Sequence, residues 1–347
     1  MGDTAPIRPE ERFDEERVAR YLRTHLPDLV GDNEIAFDQF PGGAANLTYR
    51  AVAGETEMVL RRAPLGDVAV GGHDMAREYR VLSRLWAAYP LAPRAHHFCD
   101  DAAVMGKAFF VMERRRGWVI RREWPPELAD ESGVRRRLAG CLVAALGALH
   151  MVDPAAVGLD DLGRPDGFVA RQIEGWSRRW QVARTRDVPD MEIVEEALRR
   201  RLPQPQSVAL LHNDFKLDNT MVDGTGDVVA VFDWDMATLG DPLVDLGTLL
   251  AYWVDRHGAT YRIFGDRAVT LAEYMSKPEI VARYAAATGF DVTDVAYYEG
   301  LALYRIAVII EQIYARYAAG QTSDPRFAGF EPLAPIIANA AREVLGG

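Results

Sequence analysis

The chain has 347 residues, 49% hydrophobic and 26% charged, which is the composition of an ordinary globular protein long enough for two lobes. Its formal net charge of −11 argues against nucleic acid or an anionic membrane as the main partner, because both attract a basic footprint. The longest apolar run, from Leu138 to Leu149, is too short to span a bilayer, and the N-terminal residues lack the apolar core of a secretory signal.

The first predicted element is an amphipathic helix over residues 12–26, where apolar residues recur at helical spacing. Residues 35–40 and 47–52 then alternate as two strands. Between them, residues 41–46 read P-G-G-A-A-N, and glycine allows backbone N–H groups to approach a phosphate closely. By themselves these glycines indicate a plain hairpin turn, so a phosphate-binding loop here depends on motifs further along the chain.

A third strand over residues 57–64 carries Arg61, with Arg62 on the opposite face because side chains alternate along a strand. A helix is predicted over residues 73–89, and its buried side is formed by Met75, Tyr79, Leu82, Leu85 and Trp86. Glu78 lies near the middle of this helix and is the candidate ion-pair partner of Arg61. The alternative interpretation is two unrelated surface charges.

Residues 107–113 form a further apolar strand, and the remainder of the chain is mainly helical. Helical patterns are predicted at 134–149, 168–184, 191–201, 279–288, 293–317 and 332–345. His150 is expected to be structural, since a lone His at a helix end is more often packed than catalytic. The Arg tracts are expected to be solvated faces, and a second hypothesis assigns the first of them to a phosphate-bearing substrate; they are 114–116, 121–122 and 135–137.

The most informative stretch is residues 208–250. A strand leads into the polar segment H-N-D-F-K-L-D-N, and a second strand, 228–232, ends at Asp233. The intervening turn, D-G-T-G-D, predicts a hairpin that brings Asn219 near Asp233. The amide and carboxylate oxygens of these two residues are hard ligands that suit Mg²⁺.

The other polar residues of this segment fit phosphoryl transfer, which depends mainly on positioning and charge neutralisation. Asp214 is expected to accept or orient the proton of a substrate hydroxyl, and Lys216 to reach the transferring phosphoryl group. His212 is expected to stay neutral and to hold the loop through hydrogen bonds. The structural alternative is a polar surface hairpin followed by a helix, with Asp241 as its N-cap and Pro242 in its first turn.

The ordered set H-x-D-x-x-x-x-N, D-W-D and G-D-P-x-x-D-L resembles the catalytic and metal-binding segments of the aminoglycoside phosphotransferase and choline kinase-like family. The segment G-G-A-A-N-L-T-Y is similar to the nucleotide loop of that family, with Ala45 in place of a Ser. Within the family, the chain resembles the kinase-like domains associated with acyl-CoA dehydrogenases. The resemblance also implies that Asp241, the first Asp of G-D-P-x-x-D-L, holds the catalytic loop.

The fold implied by the resemblance is bilobal, α+β and protein-kinase-like. Residues 1–113 would form an N-lobe with an antiparallel sheet, and residues 114–347 a mainly helical C-lobe that contains the catalytic hairpin. The nucleotide would be ATP, with GTP as the alternative. The residues implied to bind it are Gly42, Gly43, Asn46, Thr48, Arg61, Glu78, Glu113 and Arg114, the last two through their backbone at the hinge.

The predicted reaction moves the terminal phosphoryl group of ATP, with Mg²⁺, to a hydroxyl of a small molecule. The acceptor stays open between a hydroxyacyl-CoA-type metabolite and an aminoglycoside, and a non-catalytic nucleotide-binding protein is the third alternative. We expect no nucleic-acid or membrane partner, and the oligomeric state stays open. Cys99 and Cys141 lack metal-ligand spacing, so we expect reduced thiols in a cytoplasmic protein.

Overall fold

The computed structural model describes residues 3–41, 46–64, 74–121, 123–128, 132–254, 271–322 and 324–346. The chain divides into two compact units. The first contains Met1–Arg116 together with Val229–Ala237, and the second contains Gly117–Val228 and Thr238–Gly347. The division therefore differs from a single boundary after residue 113, because a segment from the middle of the chain completes the first unit.

The first unit is built on a five-stranded sheet. Its strands are β1 (Ile35–Gln39), β2 (Leu47–Ala53), β3 (Thr56–Arg62), β4 (Ala95–Cys99) and β5 (Phe109–Glu113). They are ordered β1-β2-β3-β5-β4, and all neighbouring pairs are antiparallel. Gly54 closes the tight turn between β2 and β3 with a φ of +61°, a backbone conformation that favours glycine.

Among the described residues, four helices accompany this sheet: α1 (Glu15–His25), α2 (Pro27–Val30), α3 (Met75–Leu85) and α4 (Ala102–Met105). Asp side chains cap the first turns of α1 and α3, where Asp14 accepts the N–H of Arg17 and Asp74 accepts that of Arg77. Apolar residues of α1 join those of β1, β2 and β3 in one buried cluster. Burial of this cluster is the main stabilising contribution to the unit.

The second unit is mainly helical. Its helices are α5 (Ser132–His150), α6 (Phe168–Ala183), α7 (Pro189–Arg200), α8 (Leu243–Ala251), α9 (Lys277–Thr288), α10 (Val295–Ala318) and α11 (Leu333–Val344). The long helix α10 packs against α6, α8 and α11. Gly247 permits the close approach of α8 to α10, because a Cβ atom there would lie 2.4 Å from the backbone of Tyr298.

Short strands hold the polar segments of the chain in place. They are β6 (Ala209–Leu211), β7 (Thr220–Val222), β8 (Val228–Val231) and β9 (Thr238–Gly240). In the second unit, β6 pairs with β9, and Val222 exchanges backbone hydrogen bonds with Trp118. In the first unit, the N–H of Val231 donates to the carbonyl of Leu91 at 2.8 Å, and the fully buried Trp234 packs edge-on against Tyr89.

The predicted elements are present with modest differences at their ends. Arg62 follows Arg61 on β3 and was predicted to face the other side of the strand; its side chain is buried, and its guanidinium donates to the hydroxyl of Tyr49. The prediction that Trp86 is buried is wrong, since its side chain is 36% exposed and Arg94 lies over its ring at 4.4 Å. The strand β4 forms after Pro93 although two adjacent histidines interrupt the apolar alternation that marks a strand.

Candidate functional site

The segment between β6 and β7 is a polar loop that begins immediately after the buried residues Leu210 and Leu211. It turns sharply at Asn213, whose φ is +64°. Asn adopts this left-handed conformation more readily than most residues. The turn brings the next residues, Asp214 and Lys216, into contact with each other.

Asp214 is the centre of the polar contacts in this loop. The amine of Lys216 lies 2.6 Å from its Oδ2, and the side-chain amide of Asn219 donates to the same oxygen at 3.0 Å. The other oxygen, Oδ1, has no hydrogen-bond donor among the described residues, and its nearest cation is Arg305 at 4.0 Å. One carboxylate oxygen is therefore held by two donors, while the other accepts no hydrogen bond from the described residues.

Lys216 is held as a cation beside this carboxylate. Burial lowers the pKa of Lys216, but the carboxylates of Asp214 and Asp218 raise it by a larger amount. The pKa of Lys216 therefore lies above that of a free lysine. The amine also lies 5.0 Å from the centre of the Tyr252 ring, a cation–π contact. Lys216 is thus charged at neutral pH and is available to an anionic phosphoryl group.

His212 is completely buried beneath the loop. Its Nδ1 accepts the backbone N–H of Asp214 at 3.3 Å, and its ring contacts Phe215 edge-on. An Nδ1 that accepts a hydrogen bond belongs to a neutral imidazole with its proton on Nε2. This geometry agrees with the expectation that His212 holds the loop.

Asp245, in the first turn of α8, binds the first residues of the loop between β6 and β7. Its two oxygens accept the backbone N–H groups of His212 and Asn213, each at 2.7 Å. His150 lies 3.2 Å from the same carboxylate and contacts the hydroxyl of Tyr284 at 2.6 Å. His150 is fully buried in this network, in agreement with the structural role predicted for it.

The prediction that Asp241 holds the catalytic loop is wrong. Its carboxylate accepts the N–H of Leu243 at 2.9 Å and the hydroxyl of Tyr298 at 2.7 Å, so it caps the start of α8 instead. The loop is held by Asp245, the second Asp of the G-D-P-x-x-D-L element. The physical reason is that a residue inside the first helical turn projects back over the preceding loop, whereas the capping Asp is used by the helix itself.

Arg305 of α10 also reaches the loop, although no sequence motif pointed to it. Its Nη1 donates to the backbone carbonyl of Asn213 at 2.9 Å and to the side-chain oxygen of the same residue at 3.1 Å. The available signal was a single cation inside the apolar run L-A-L-Y-R-I-A-V-I-I. A charge in such a run is rarely buried without a polar partner.

A pocket of about 260 Å³, including its open mouth, lies beside Asn213 in the second unit. Its walls come from α6, α8 and α10, and the lining residues are Gln172, Trp176, Asn213, Val244, Thr248, Tyr298, Leu301, Ala302 and Arg305. Among these described residues, Arg305 is the one charged side chain. The pocket therefore combines apolar walls with a positive charge next to the loop between β6 and β7.

The first unit contains a second polar cluster, centred on Arg61 of β3. Its Nε lies 3.0 Å from the buried carboxylate of Glu78 in α3, so the predicted ion pair is confirmed. Its Nη2 contacts the carboxylate of Asp233, a residue with a φ of +70°. One guanidinium is thus shared by two carboxylates. Burial raises the pKa of Glu78 to about 7, with Asp233 and Asp235 adding to the effect and Arg61 opposing it.

This pKa predicts a pH dependence of stability for the protein without nucleotide or metal. The folded state binds a proton at Glu78 more tightly than the unfolded state, so the free energy of unfolding falls as the pH rises from about 4.5 through 7. One pKa unit corresponds to about 1.4 kcal/mol, so the loss is up to about 3 kcal/mol. Glu78→Gln, which cannot ionise, should flatten a plot of Tm against pH.

The matched control for this experiment is Glu55→Gln, because Glu55 is exposed in the turn after β2. Its plot of Tm against pH should follow the wild-type plot. If Glu78→Gln retains the full wild-type slope between about pH 5 and 8, Glu78 is not the group that titrates.

Comparison with known proteins identifies the family. Residues 37–297, about three quarters of the chain, match the model of a phosphotransferase enzyme family. The chain belongs to this family. It is 30% identical over 327 residues to acyl-CoA dehydrogenase family member 10 of Mus musculus, a match that covers 93% of this chain and 30% of the mouse protein. The phosphotransferase chain thus spans less than a third of that relative's length.

Solved structures agree with the family assignment. A protein of Ralstonia eutropha, provisionally named an aminoglycoside phosphotransferase, is 28% identical with a TM-score of 0.82, covering 96% of this chain and 99% of that one. A thermostable mutant of aminoglycoside phosphotransferase APH(4)-Ia, solved with AMP-PNP and hygromycin B, has a TM-score of 0.60 at 14% identity, covering 94% of this chain and 99% of that one. The second likeness is one of fold. Both support the predicted bilobal α+β kinase-like class.

The predicted nucleotide loop of the phosphotransferase is described only in part. Gly42 and Gly43 lie outside the described residues. Asn46 is buried, and Thr48 lies directly opposite Arg61 in the β2–β3 ladder. Residues directly opposite in an antiparallel ladder project from the same face of the sheet, so Thr48 and Arg61 share the face that carries Glu78 and Asp233.

The predicted hinge residues already make contacts within the first unit. The N–H of Glu113 donates to the carbonyl of Arg94 at 2.9 Å. Arg114 pairs with Asp3 and lies 4.8 Å from the centre of the Phe40 ring. Its neighbours in the Arg tract are paired as well, Arg115 with Glu113 and Arg116 with Glu57. The Arg tract 114–116 thus forms ion pairs with acidic residues of the first unit.

The predicted metal ligands retain oxygens suited to Mg²⁺. Asn219 uses its amide nitrogen to contact Asp214, so its Oδ1 has no hydrogen bond within the described part of the chain. Asp233 supplies a carboxylate. Mg²⁺ commonly uses one or two protein oxygens together with water and phosphate oxygens, so each of these two oxygens, taken within its own unit, is of the kind that fits the ion. In the described ranges, no three His, Cys, Asp or Glu side chains converge as a metal site, and no helix is long and apolar enough to cross a bilayer.

Proposed function

We propose that this phosphotransferase moves the terminal phosphoryl group of ATP, with Mg²⁺, to a hydroxyl group of a small molecule. The observation that carries the proposal is the state of Asp214. One of its oxygens is fixed by Lys216 and Asn219, while the other has no hydrogen-bond donor among the described residues. An oriented carboxylate with one free oxygen is suited to accept the proton of an attacking hydroxyl.

The other residues take roles consistent with this reaction. Lys216 and Arg61 are cations available to phosphate oxygens, and each is kept charged by neighbouring carboxylates. Asn219 and Asp233 would hold Mg²⁺, which neutralises charge on the phosphates when it is bound. His212 fixes the loop through the N–H of Asp214. GTP is the alternative nucleotide, since one fold relative is solved with the ATP analogue AMP-PNP and others are solved with GDP.

A hydroxyacyl-CoA-type metabolite is the acceptor class we propose. Two observations favour it over an aminoglycoside. The mouse relative, of which this chain matches only a part, is named for an acyl-CoA dehydrogenase. In addition, the described lining of the pocket beside Asn213 carries Arg305 and no carboxylate, which disfavours a polycationic acceptor on electrostatic grounds. The free cysteines suit a cytoplasmic location.

A phosphate-transfer screen tests the proposal. Labelled ATP or GTP with Mg²⁺ is incubated with hydroxyacyl-CoA thioesters that carry the hydroxyl at successive positions of the chain, and with kanamycin. We expect labelled product with at least one thioester and none with kanamycin. Labelled kanamycin would support the aminoglycoside alternative. No label in any acceptor, together with intact nucleotide binding, would support the non-catalytic alternative.

The metal requirement gives a separate prediction. Asp233→Ala should abolish the Mg²⁺-dependent part of ATP binding, because it removes one proposed ligand carboxylate. Binding is measured by isothermal titration calorimetry with and without Mg²⁺. Asp235→Ala, which removes an adjacent acid, is the matched control and should retain most of the Mg²⁺ dependence. Nucleotide binding that ignores Mg²⁺ in the wild type, or that keeps its full Mg²⁺ dependence in Asp233→Ala, contradicts the assignment.

A further inference from the structure

Arg305 lies in the apolar helix α10, between the buried residues Tyr304 and Ile306, and is itself only 6% exposed. Removing a guanidinium from water is costly unless polar groups compensate for the lost hydration. The contacts of Arg305 with the catalytic loop supply that compensation. They join α10 to residues more than eighty positions earlier in the chain.

The first contact fixes the backbone of Asn213. Arg305 Nη1 donates to both the carbonyl and the side-chain oxygen of this residue, while Asp245 accepts its N–H. Arg305 of α10 therefore binds the backbone carbonyl of Asn213, and Asp245 of α8 binds its backbone N–H. The held residue is the one with a φ of +64°, a conformation that costs free energy for a residue other than glycine.

The second contact concerns charge. Arg305 Nη2 lies 4.0 Å from Oδ1 of Asp214, which is too long for a hydrogen bond but close enough for attraction. The opposite oxygen, Oδ2, is occupied by Lys216 and Asn219. Arg305 thus lies on the side of the free oxygen without using it.

We infer that Arg305 is a positioning residue for phosphoryl transfer: it fixes the left-handed turn at Asn213 and directs Oδ1 of Asp214 toward the acceptor hydroxyl. The inference rests on the proposed function. It also assigns the proton-accepting atom as Oδ1, and it places the acceptor hydroxyl on the Arg305 side of the carboxylate, because Arg305 also lines the pocket beside Asn213.

The test uses ADP release from MgATP with the pooled hydroxyacyl-CoA panel as acceptor. In Arg305→Ala we expect kcat to fall about 100-fold, the size of effect produced by misplacing a catalytic group by about 1 Å. The KM for MgATP should change less than about threefold, since the contacts of Arg305 within the described residues are with Asn213, Thr248 and Asp214, none of which is proposed to bind the nucleotide phosphates. Arg305→Lys keeps the charge but loses the paired donors, so its kcat should be intermediate.

Chemical rescue separates positioning from general stability. Free guanidinium, at concentrations that leave the wild-type Tm unchanged, should partly restore the kcat of Arg305→Ala because the adjacent pocket gives access. The matched control is Arg186→Ala, which removes an ion pair with Glu311 in the same unit. It should lower Tm without lowering kcat and should show no rescue.

Three results would overturn the inference. One is a kcat for Arg305→Ala within about twofold of wild type. Another is an equal loss of kcat in Arg186→Ala at matched loss of Tm, and the third is a guanidinium effect of the same size in both variants. A wild type that transfers phosphate to no member of the panel, with normal nucleotide binding, removes the proposed function itself and the inference with it.

Discussion

Replacing Asp214 with Asn will lower the rate of phosphoryl transfer by about 10²- to 10⁴-fold, the range expected for loss of a general base. The substitution keeps the shape of the side chain and one acceptor oxygen, but it removes the negative charge that pairs with Lys216 at 2.6 Å. Nucleotide affinity should change little, because Asp214 is proposed to act on the acceptor. Single-turnover transfer of label from ATP measures the chemical step directly.

Asp160→Asn provides the matched control, because Asp160 is an exposed acid of the same unit that makes no hydrogen bond within the described residues. It should transfer phosphate at the wild-type rate. Near-full turnover in Asp214→Asn would exclude Asp214 as the base and with it the proposed mechanism. A fall in rate matched by an equal fall in folded fraction would assign the effect to stability.

Asp245→Ala will both destabilise the protein and abolish most activity. The substitution leaves the N–H groups of His212 and Asn213 without their acceptor, and a buried polar group left unpaired costs about 1–3 kcal/mol. Because His150 also loses its partner, we expect a loss of at least about 3 kcal/mol in the free energy of unfolding. Urea unfolding followed by circular dichroism measures this loss.

Asp245→Asn is a milder companion variant, chosen so that the protein stays folded and its kcat can be measured. It retains one oxygen but presents an amide to the second N–H, so kcat should fall while most of the protein remains native. Asp241→Asn, at the start of the same helix, should affect stability through Leu243 and Tyr298 and leave kcat nearly unchanged. Equal losses of kcat in the two variants would show that the loop does not depend on Asp245 specifically.

Local features of this protein could be predicted from its sequence. The helices α6 and α7 follow from regular apolar spacing, and their observed ends lie within two residues of the predicted ones. The pair formed by Arg61 and Glu78 was predictable because the strand and the following helix are consecutive and each carries a motif residue. In these cases, the information lies within one element or between neighbouring elements.

Contacts between distant parts of the chain could not be predicted in the same way. Arg305 reaches Asn213 only because α10 packs beside α8 at Gly247, and no local pattern records that packing. The role of holding the loop was assigned to Asp241 instead of Asp245, since both acids flank the same helix start and only the path of the preceding loop distinguishes them. The direction of the side chain, rather than the residue type, decides which Asp binds the loop.

Because residues 229–237 belong to the first unit, that unit cannot finish folding early in translation. During translation, residues 1–116 emerge before the segment that supplies two of their contacts. These contacts are the buried side chain of Trp234 and the backbone hydrogen bond from Val231 to Leu91. That unit becomes complete only after residues 117–228 have also been made. A fragment that ends at residue 116 would therefore expose the Tyr89 side of its core, and limited proteolysis near that residue would not release a self-sufficient domain.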